Sequence, residues 1–187
     1  MITKKIGLTA LLLGFSAISF GQSFEAAVSG GPTAVSGGDL GSGYSLSDGF
    51  RLGFRITLNT RNWLGYEFGY AYNRTNLQAG GTEQGMAIHQ GFGGALIYAT
   101  GERARFRPFA AGGIHFSNFV PPGASAQYGQ GENKFGFNYG AGLKVRLKGP
   151  FQLRFDARQY NQGKPFGLGG SGRFLLNEFS AGFGVVI

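Results

Sequence analysis

The sequence predicts an all-β chain: an eight-stranded antiparallel up-and-down transmembrane β-barrel. Three observations carry that reading. Apolar and polar residues alternate with period two in separate runs, the spacing at which strand side chains change face. No helix-period pattern follows residue 21. The connections between runs alternate long and short, the habit of barrels with long loops on one side of a membrane and short turns on the other.

The chain opens with Lys4-Lys5 and an apolar run from Ile6 to Phe20, and Ser19 and Gly21 are the small residues a signal peptidase reads. Residues 1–21 therefore read as a secretory signal peptide and residues 22–187 as the barrel domain. No other apolar run approaches the roughly 20 residues of a membrane helix.

The first strand, about 23–31, is the weakest, with Phe24, Ala26 and Val28 on one side. Residues 50–59 set Phe50, Leu52, Phe54, Ile56 and Leu58 against Arg51, Gly53, Arg55, Thr57 and Asn59. Residues 63–72 set Leu64, Tyr66, Phe68, Tyr70 and Tyr72 against Gly65, Glu67, Gly69 and Ala71. Residues 86–98 set Met86, Ile88, Phe92, Leu96 and Tyr98 against Ala87, His89, Gly91 and Gly93. Residues 106–116 alternate less cleanly, with Phe106, Ala110, Ile114 and Phe116 against Arg107, Gly113 and His115. Residues 135–158 form a hairpin: Phe135 to Leu147 in odd positions is apolar, Lys148-Gly149-Pro150 turns the chain, and Phe151, Leu153, Phe155 and Ala157 oppose Gln152, Arg154, Asp156 and Arg158. Residues 175–187 set Phe179, Ala181, Phe183, Val185 and Ile187 against Glu178, Ser180, Gly182 and Gly184. The long connections are 32–48, 73–84, 117–134 and 161–173; the short ones are 59–62, 100–105 and 148–150. Strands of about ten residues match the roughly 9–11 that cross a bilayer when tilted.

The chain has 187 residues, enough for one domain. It has no cysteine, so neither a disulfide nor a thiolate metal site exists. The formal charge is +8, and +6 without Lys4 and Lys5. The basic residues are scattered singly along strands, which argues against nucleic acid as a partner. Charged residues are 14%, against about 25% in ordinary soluble domains.

Alternation does not say which face is outside. A soluble eight-stranded ligand-binding barrel has a greasy inside and a wet outside. Here the polar face is mostly Gly, Ala and Asn, too sparse for a water-facing surface. The apolar face carries more bulk than eight strands enclose. Aromatics gather at strand ends: Phe24, Trp63, Tyr98, Phe106 and Phe151 toward the short turns, Phe50, Tyr72, Phe116 and Phe135 toward the long loops. These predict two interfacial girdles, with lipid on the apolar face and a polar, packed lumen on the other. Closure requires the last strand, which runs to Ile187, to pair with the first.

The signal peptide, the eight amphipathic strands, the Gly-rich FGFNYGAGLKVRL–turn–FQLRFDAR hairpin and the run Arg107-Pro108-Phe109-Ala110-Ala111-Gly112-Gly113 together resemble the small OmpA-like, porin-like outer-membrane β-barrel domains. The resemblance implies a bacterial outer-membrane location. It departs from many members in ending on Ile187 rather than Phe.

The predicted lumen carries the charges Arg51, Arg55, Glu67, His89, Arg107, Lys144, Arg146, Arg154, Asp156, Arg158 and Glu178. They read as a salt-bridge plug or, with cations in excess, as a narrow anion-preferring pore. The one enzyme candidate is Gly113-Ile114-His115-Phe116-Ser117-Asn118. It is similar to the His-x-Ser-Asn segment of lipid A deacylase barrels, in which the His and Ser cleave an ester. In that family the segment lies near the chain end; here about seventy residues follow it, and Arg158–Gln162 has neither His nor Ser. Glu132 is the nearby loop carboxylate, and a strand register shifted by one residue or a bulge at Gly112-Gly113 is what would turn the pair outward. A lipid A-modifying acyl hydrolase using His115 and Ser117 is thus the alternative to the main reading. The main reading is a non-enzymatic outer-membrane barrel with a structural, surface-interaction or small-solute passage role. It expects no catalytic residues, metal or cofactor, two histidines being too few for a metal cage. Its expected partners are outer-membrane lipids and an extracellular partner met through the four long connections. It expects a monomer. The Gly/Ser-rich stretch 36–49 reads as flexible.

Overall fold

The structure, a computed structural model, describes residues 23–187; the predicted signal peptide lies outside the described residues. Ten strands follow one another: β1 (Ser23–Ser36), β2 (Asp39–Gly41), β3 (Tyr44–Leu46), β4 (Gly49–Arg61), β5 (Leu64–Ala79), β6 (Thr82–Tyr98), β7 (Phe106–Val120), β8 (Glu132–Arg146), β9 (Phe151–Gly163) and β10 (Arg173–Val186). A single 3-10 turn, Ala126–Tyr128, sits between β7 and β8.

Eight of these strands close into an antiparallel barrel in the order β1, β4, β5, β6, β7, β8, β9, β10. The last strand meets the first. Their ladder runs from Glu25↔Val186 to Ser36↔Leu175, and Phe24 and Ile187 exchange backbone hydrogen bonds of 3.0 and 2.8 Å. No edge is left open around the barrel wall, which is what a sheet in hydrocarbon needs.

Outward residues are large and bare: Phe135 is 76% exposed, Phe137 63% and Ile114 66%. Inward residues on the same strands are buried, Arg107 at 4% and Lys144 at 2%. Oily outside and ionic inside is the membrane polarity, opposite to a soluble ligand-binding barrel. The outer belt near the short turns includes Trp63, Phe106 and Phe151; near the long loops it includes Phe50 and Phe135.

One strand is reversed from the sequence reading. In β6 it is Met86, Ile88, Phe92, Leu96 and Tyr98 that are buried in the lumen, together with Gln90. His89 lies on the outer face, its Nδ1 2.5 Å from the Tyr70 hydroxyl and its ring edge-on to Tyr72. His89 is therefore not a lumen residue, and Tyr98 is not part of the girdle. The reason is bulk and charge inside. Arg51 and Arg55 each place a guanidinium 5.4 Å from the Phe92 ring, a packing that a glycine or alanine at that site could not supply.

The long connections are also shorter than the sequence reading gave. Residues 73–84 are mostly ladder: β5 and β6 pair up to Ala79↔Thr82, and only Gly80 and Gly81 turn the chain. Both have positive φ, 55° and 82°, as a tight hairpin turn requires. The stretch 36–49, read as flexible, builds β2 and β3, which add to the edge of β5 through Tyr44↔Ala79 and Leu46↔Leu77.

Candidate functional site in the barrel lumen

The lumen has three storeys, stacked by the alternation of the strands. At the short-turn end Glu25 of β1 is the centre. It forms an ion pair with Lys144, sits 3.6 Å from Arg107 Nη1, and accepts hydrogen bonds from Asn59 Nδ2 (2.7 Å) and Gln152 Nε2 (3.0 Å). Lys144 also donates to the Tyr98 hydroxyl at 2.8 Å, and the Arg107 guanidinium lies 3.4 Å from the centre of that ring. Phe109, Leu96 and Ala111 complete this layer.

The middle storey is a charge lattice. Glu67 bridges Arg154 (2.5 Å) and Arg158 (2.7 Å) and lies 3.8 Å from Arg55. Asp156 accepts two bonds from Arg154, at 2.7 and 2.9 Å, and one from Arg158 at 3.0 Å. Above it Glu178 holds Arg55 at 2.5 Å and Arg51 at 3.3 Å, and accepts from Tyr160 OH at 3.0 Å. Arg51 in turn donates to Tyr160 OH at 3.0 Å and to Gln90. Every carboxylate is shared by at least two cations, the condition under which buried charge is tolerated.

The upper storey is apolar. Met86, Ile88, Phe119, Phe174 and Leu176 line the mouth, and Leu40 and Leu46 from the first long connection fill it from above with Phe166 and Leu168 packed against them. The two connections bind each other: Gly170 N donates to Leu40 O at 2.9 Å, and Ser42 Oγ to Leu168 O at 3.0 Å. Gly41 sits at φ 91°, and a Cβ there would lie 2.3 Å from the Leu168 carbonyl oxygen, so the loops meet only because that residue is glycine.

Nine of the eleven candidate lumen charges lie in this arrangement: Arg51, Arg55, Glu67, Arg107, Lys144, Arg154, Asp156, Arg158 and Glu178. His89 faces outward. Arg146 is half-buried at the short-turn rim, beside Arg103, Arg105 and Lys148, and belongs to a surface cleft instead. The sequence reading missed Glu25. Its signal was parity: it alternates with Phe24 and Ala26, but the strand was too glycine- and alanine-rich to stand out. Gln90, Tyr98 and Tyr160 were missed because aromatic and amide side chains serve inside as hydrogen-bonding filler.

His115 and Ser117 both point into the lumen, where they meet amides. His115 Nε2 lies 3.0 Å from Gln162 Oε1, and Ser117 Oγ accepts from Gln90 Nε2 at 3.0 Å. His115 Nδ1 has no hydrogen-bond partner. Glu132 is occupied by Lys134, at 2.6 Å, and by the Phe166 N–H. β7 pairs with β6 in unbroken register through Gly112 and Gly113, so no bulge turns the pair toward lipid. Among the described residues no carboxylate orients the histidine, and the hydrolase alternative has no support. No group of three or more metal-binding side chains occurs among the described residues.

A model of the family described as outer membrane protein beta-barrel domain matches residues 7–186. No curated protein matches the chain in sequence. The crystal structure of Neisserial surface protein A is similar at a TM-score of 0.63, with 14% identity over 89% of this chain and 99% of that one. The attachment invasion locus protein Ail of Yersinia pestis, in complex with the heparin analogue sucrose octasulfate, is similar at 0.52, with 16% identity over 90% and 100%. The outer membrane protein OprG of Pseudomonas aeruginosa is similar at 0.52, with 13% identity over 89% and 96%. At such identities the likeness is one of fold.

Proposed function

The chain belongs to the outer membrane protein beta-barrel domain family, and from that premise we propose that it is a plugged barrel acting at the cell surface rather than an open channel. It resides in the bacterial outer membrane. The observation that carries the proposal is the three-storey filling of the lumen: two shared-carboxylate layers under an apolar cap made by residues 40–46 and 166–168. An eight-stranded barrel is just wide enough for side chains to fill, and here cations, acids and aromatics fill it. Residues 1–21 direct export, and the closed wall supports a monomer.

The connections at 37–48, 80–81, 121–131 and 164–172 then face the exterior and carry the contacts. Ail was crystallised with a polyanion. Here that end carries Arg74, Lys134, Lys164 and Arg173 against Asp39, Asp48, Glu83 and Glu132, so its charges balance. Net charge does not favour a polyanion, and a partner is met through polar and apolar contact. The test is epitope insertion. A tag at Gly129 should be labelled on intact cells and one at Gly149 should not; the reverse pattern would sink the orientation and the surface role with it.

A further inference from the structure

We propose that Arg103, Arg105, Arg146 and Lys148 form a site for the phosphate of an anionic phospholipid headgroup at the short-turn rim. The four cations and Leu147 line a cleft of about 450 Å³. Two neighbouring turns build it. β7 pairs with β8, and Arg146 N donates to Arg105 O at 2.8 Å, which brings the turn before β7 against the turn after β8. Among the described residues none of the four has a carboxylate within ion-pair distance.

The distribution of charge points the same way. The mature chain has six more cations than acids. At the long-loop end four cations meet four acids. In the lumen six cations meet four acids, and each cation lies within ion-pair distance of at least one of them. At the short-turn rim Arg61, Arg103, Arg105, Arg146 and Lys148 face only Glu102. Most of the surplus sits there, where the fold does not use it.

The height of the cluster selects a lipid. Arg105 lies 5.7 Å from the ring of Phe106, and Arg61 lies 5.9 Å from that of Trp63. Both rings are exposed members of the aromatic belt, which sits at the headgroup boundary. Cations next to that belt lie at phosphate depth. Guanidinium forks suit phosphate oxygens. Leu147, 38% exposed beside them, gives an apolar side that a free phosphate would not need and a lipid glycerol and acyl root would cover. The inference rests on the membrane assignment and is independent of the plugged lumen.

Native mass spectrometry of the detergent-solubilised barrel tests it, with phosphatidylglycerol, phosphatidylcholine and inorganic phosphate as probes. Phosphatidylglycerol should be retained about tenfold over phosphatidylcholine, a ratio equivalent to about 1.4 kcal/mol. The variant R103Q/R105Q/R146Q/K148Q should lose that preference, and the turn-only variant R103Q/R105Q should weaken it. A control, R74Q/K134Q/K164Q/R173Q, removes as many cations from the other end and should keep it. Heat-modified gel migration verifies that each variant is folded. Equal loss in both quadruple variants, no effect of R103Q/R105Q, or displacement of the lipid by an equal concentration of inorganic phosphate would each overturn the proposal.

Discussion

Glu178 is the residue on which the middle of the lumen turns. It holds Arg51, Arg55, Tyr160 and Ser180 at once and is fully buried. Replacing it by alanine leaves Arg51 without a carboxylate and Arg55 with only the more distant Glu67 and Asp156, at 3.8 and 3.9 Å, in a place water hardly reaches. Such a loss costs about 3–5 kcal/mol. Glu178→Ala should therefore lower stability by that order in urea unfolding from lipid vesicles, and an unchanged midpoint would show that the lattice does not hold the barrel. His115 predicts the opposite. Its Nε2 contacts an amide and its Nδ1 has no hydrogen-bond partner, so His115→Ala should leave the lipid A acyl pattern unaltered by mass spectrometry. At this scale the sequence showed most of the charged lumen, because a charge on an otherwise oily strand can only face in. It did not show the partners. Glu25 was hidden in a strand of small residues, and Arg146 kept lumen parity but lies one turn too low to be enclosed.

β6 is the element that parity alone misplaces. Alternation defines two faces, and in seven strands the bulky face was outside. In β6 the bulky face is inside because it packs between the guanidiniums of β4, and the outer face is left to His89, Ile97 and small residues. Gln90 was the visible clue: it shares parity with Ile88 and Phe92, and an amide does not belong in hydrocarbon. Spin labels at His89→Cys and Ile88→Cys decide the register. The label at 89 should be broadened by lipid-soluble oxygen and that at 88 should not; the converse would return β6 to its sequence-based orientation. On β8 parity and structure agree, and Leu143→Arg should cost about 2–4 kcal/mol in lipid unfolding because it turns a cation toward the hydrocarbon on the lipid face. The β6–β7 seam adds a steric case. A Cβ on Gly94 would come within 2.3 Å of Gly112 O, and one on Gly113 within 2.1 Å of Gly93 O. Gly113→Val should therefore block refolding, seen as loss of the heat-modifiable band, while Gly112→Val, with nothing within 4 Å of its Cβ, should refold.

For the molecule as a whole, strand count, closure and the long–short rhythm were legible because each follows from backbone pairing and bilayer thickness. The apolar cap was not. Leu40, Leu46, Phe166 and Leu168 stand in stretches rich in Gly and Ser, and nothing local says that loops more than a hundred residues apart meet over one mouth. The cap and the charge layers beneath it are what support the proposal that this barrel is sealed. Single-channel recording of the purified protein in a planar lipid bilayer tests that claim most directly. The account predicts an electrically silent membrane, with no stable conductance step at either polarity in concentrated potassium chloride. A reproducible ohmic step from the intact protein would contradict it and make the lumen a pore.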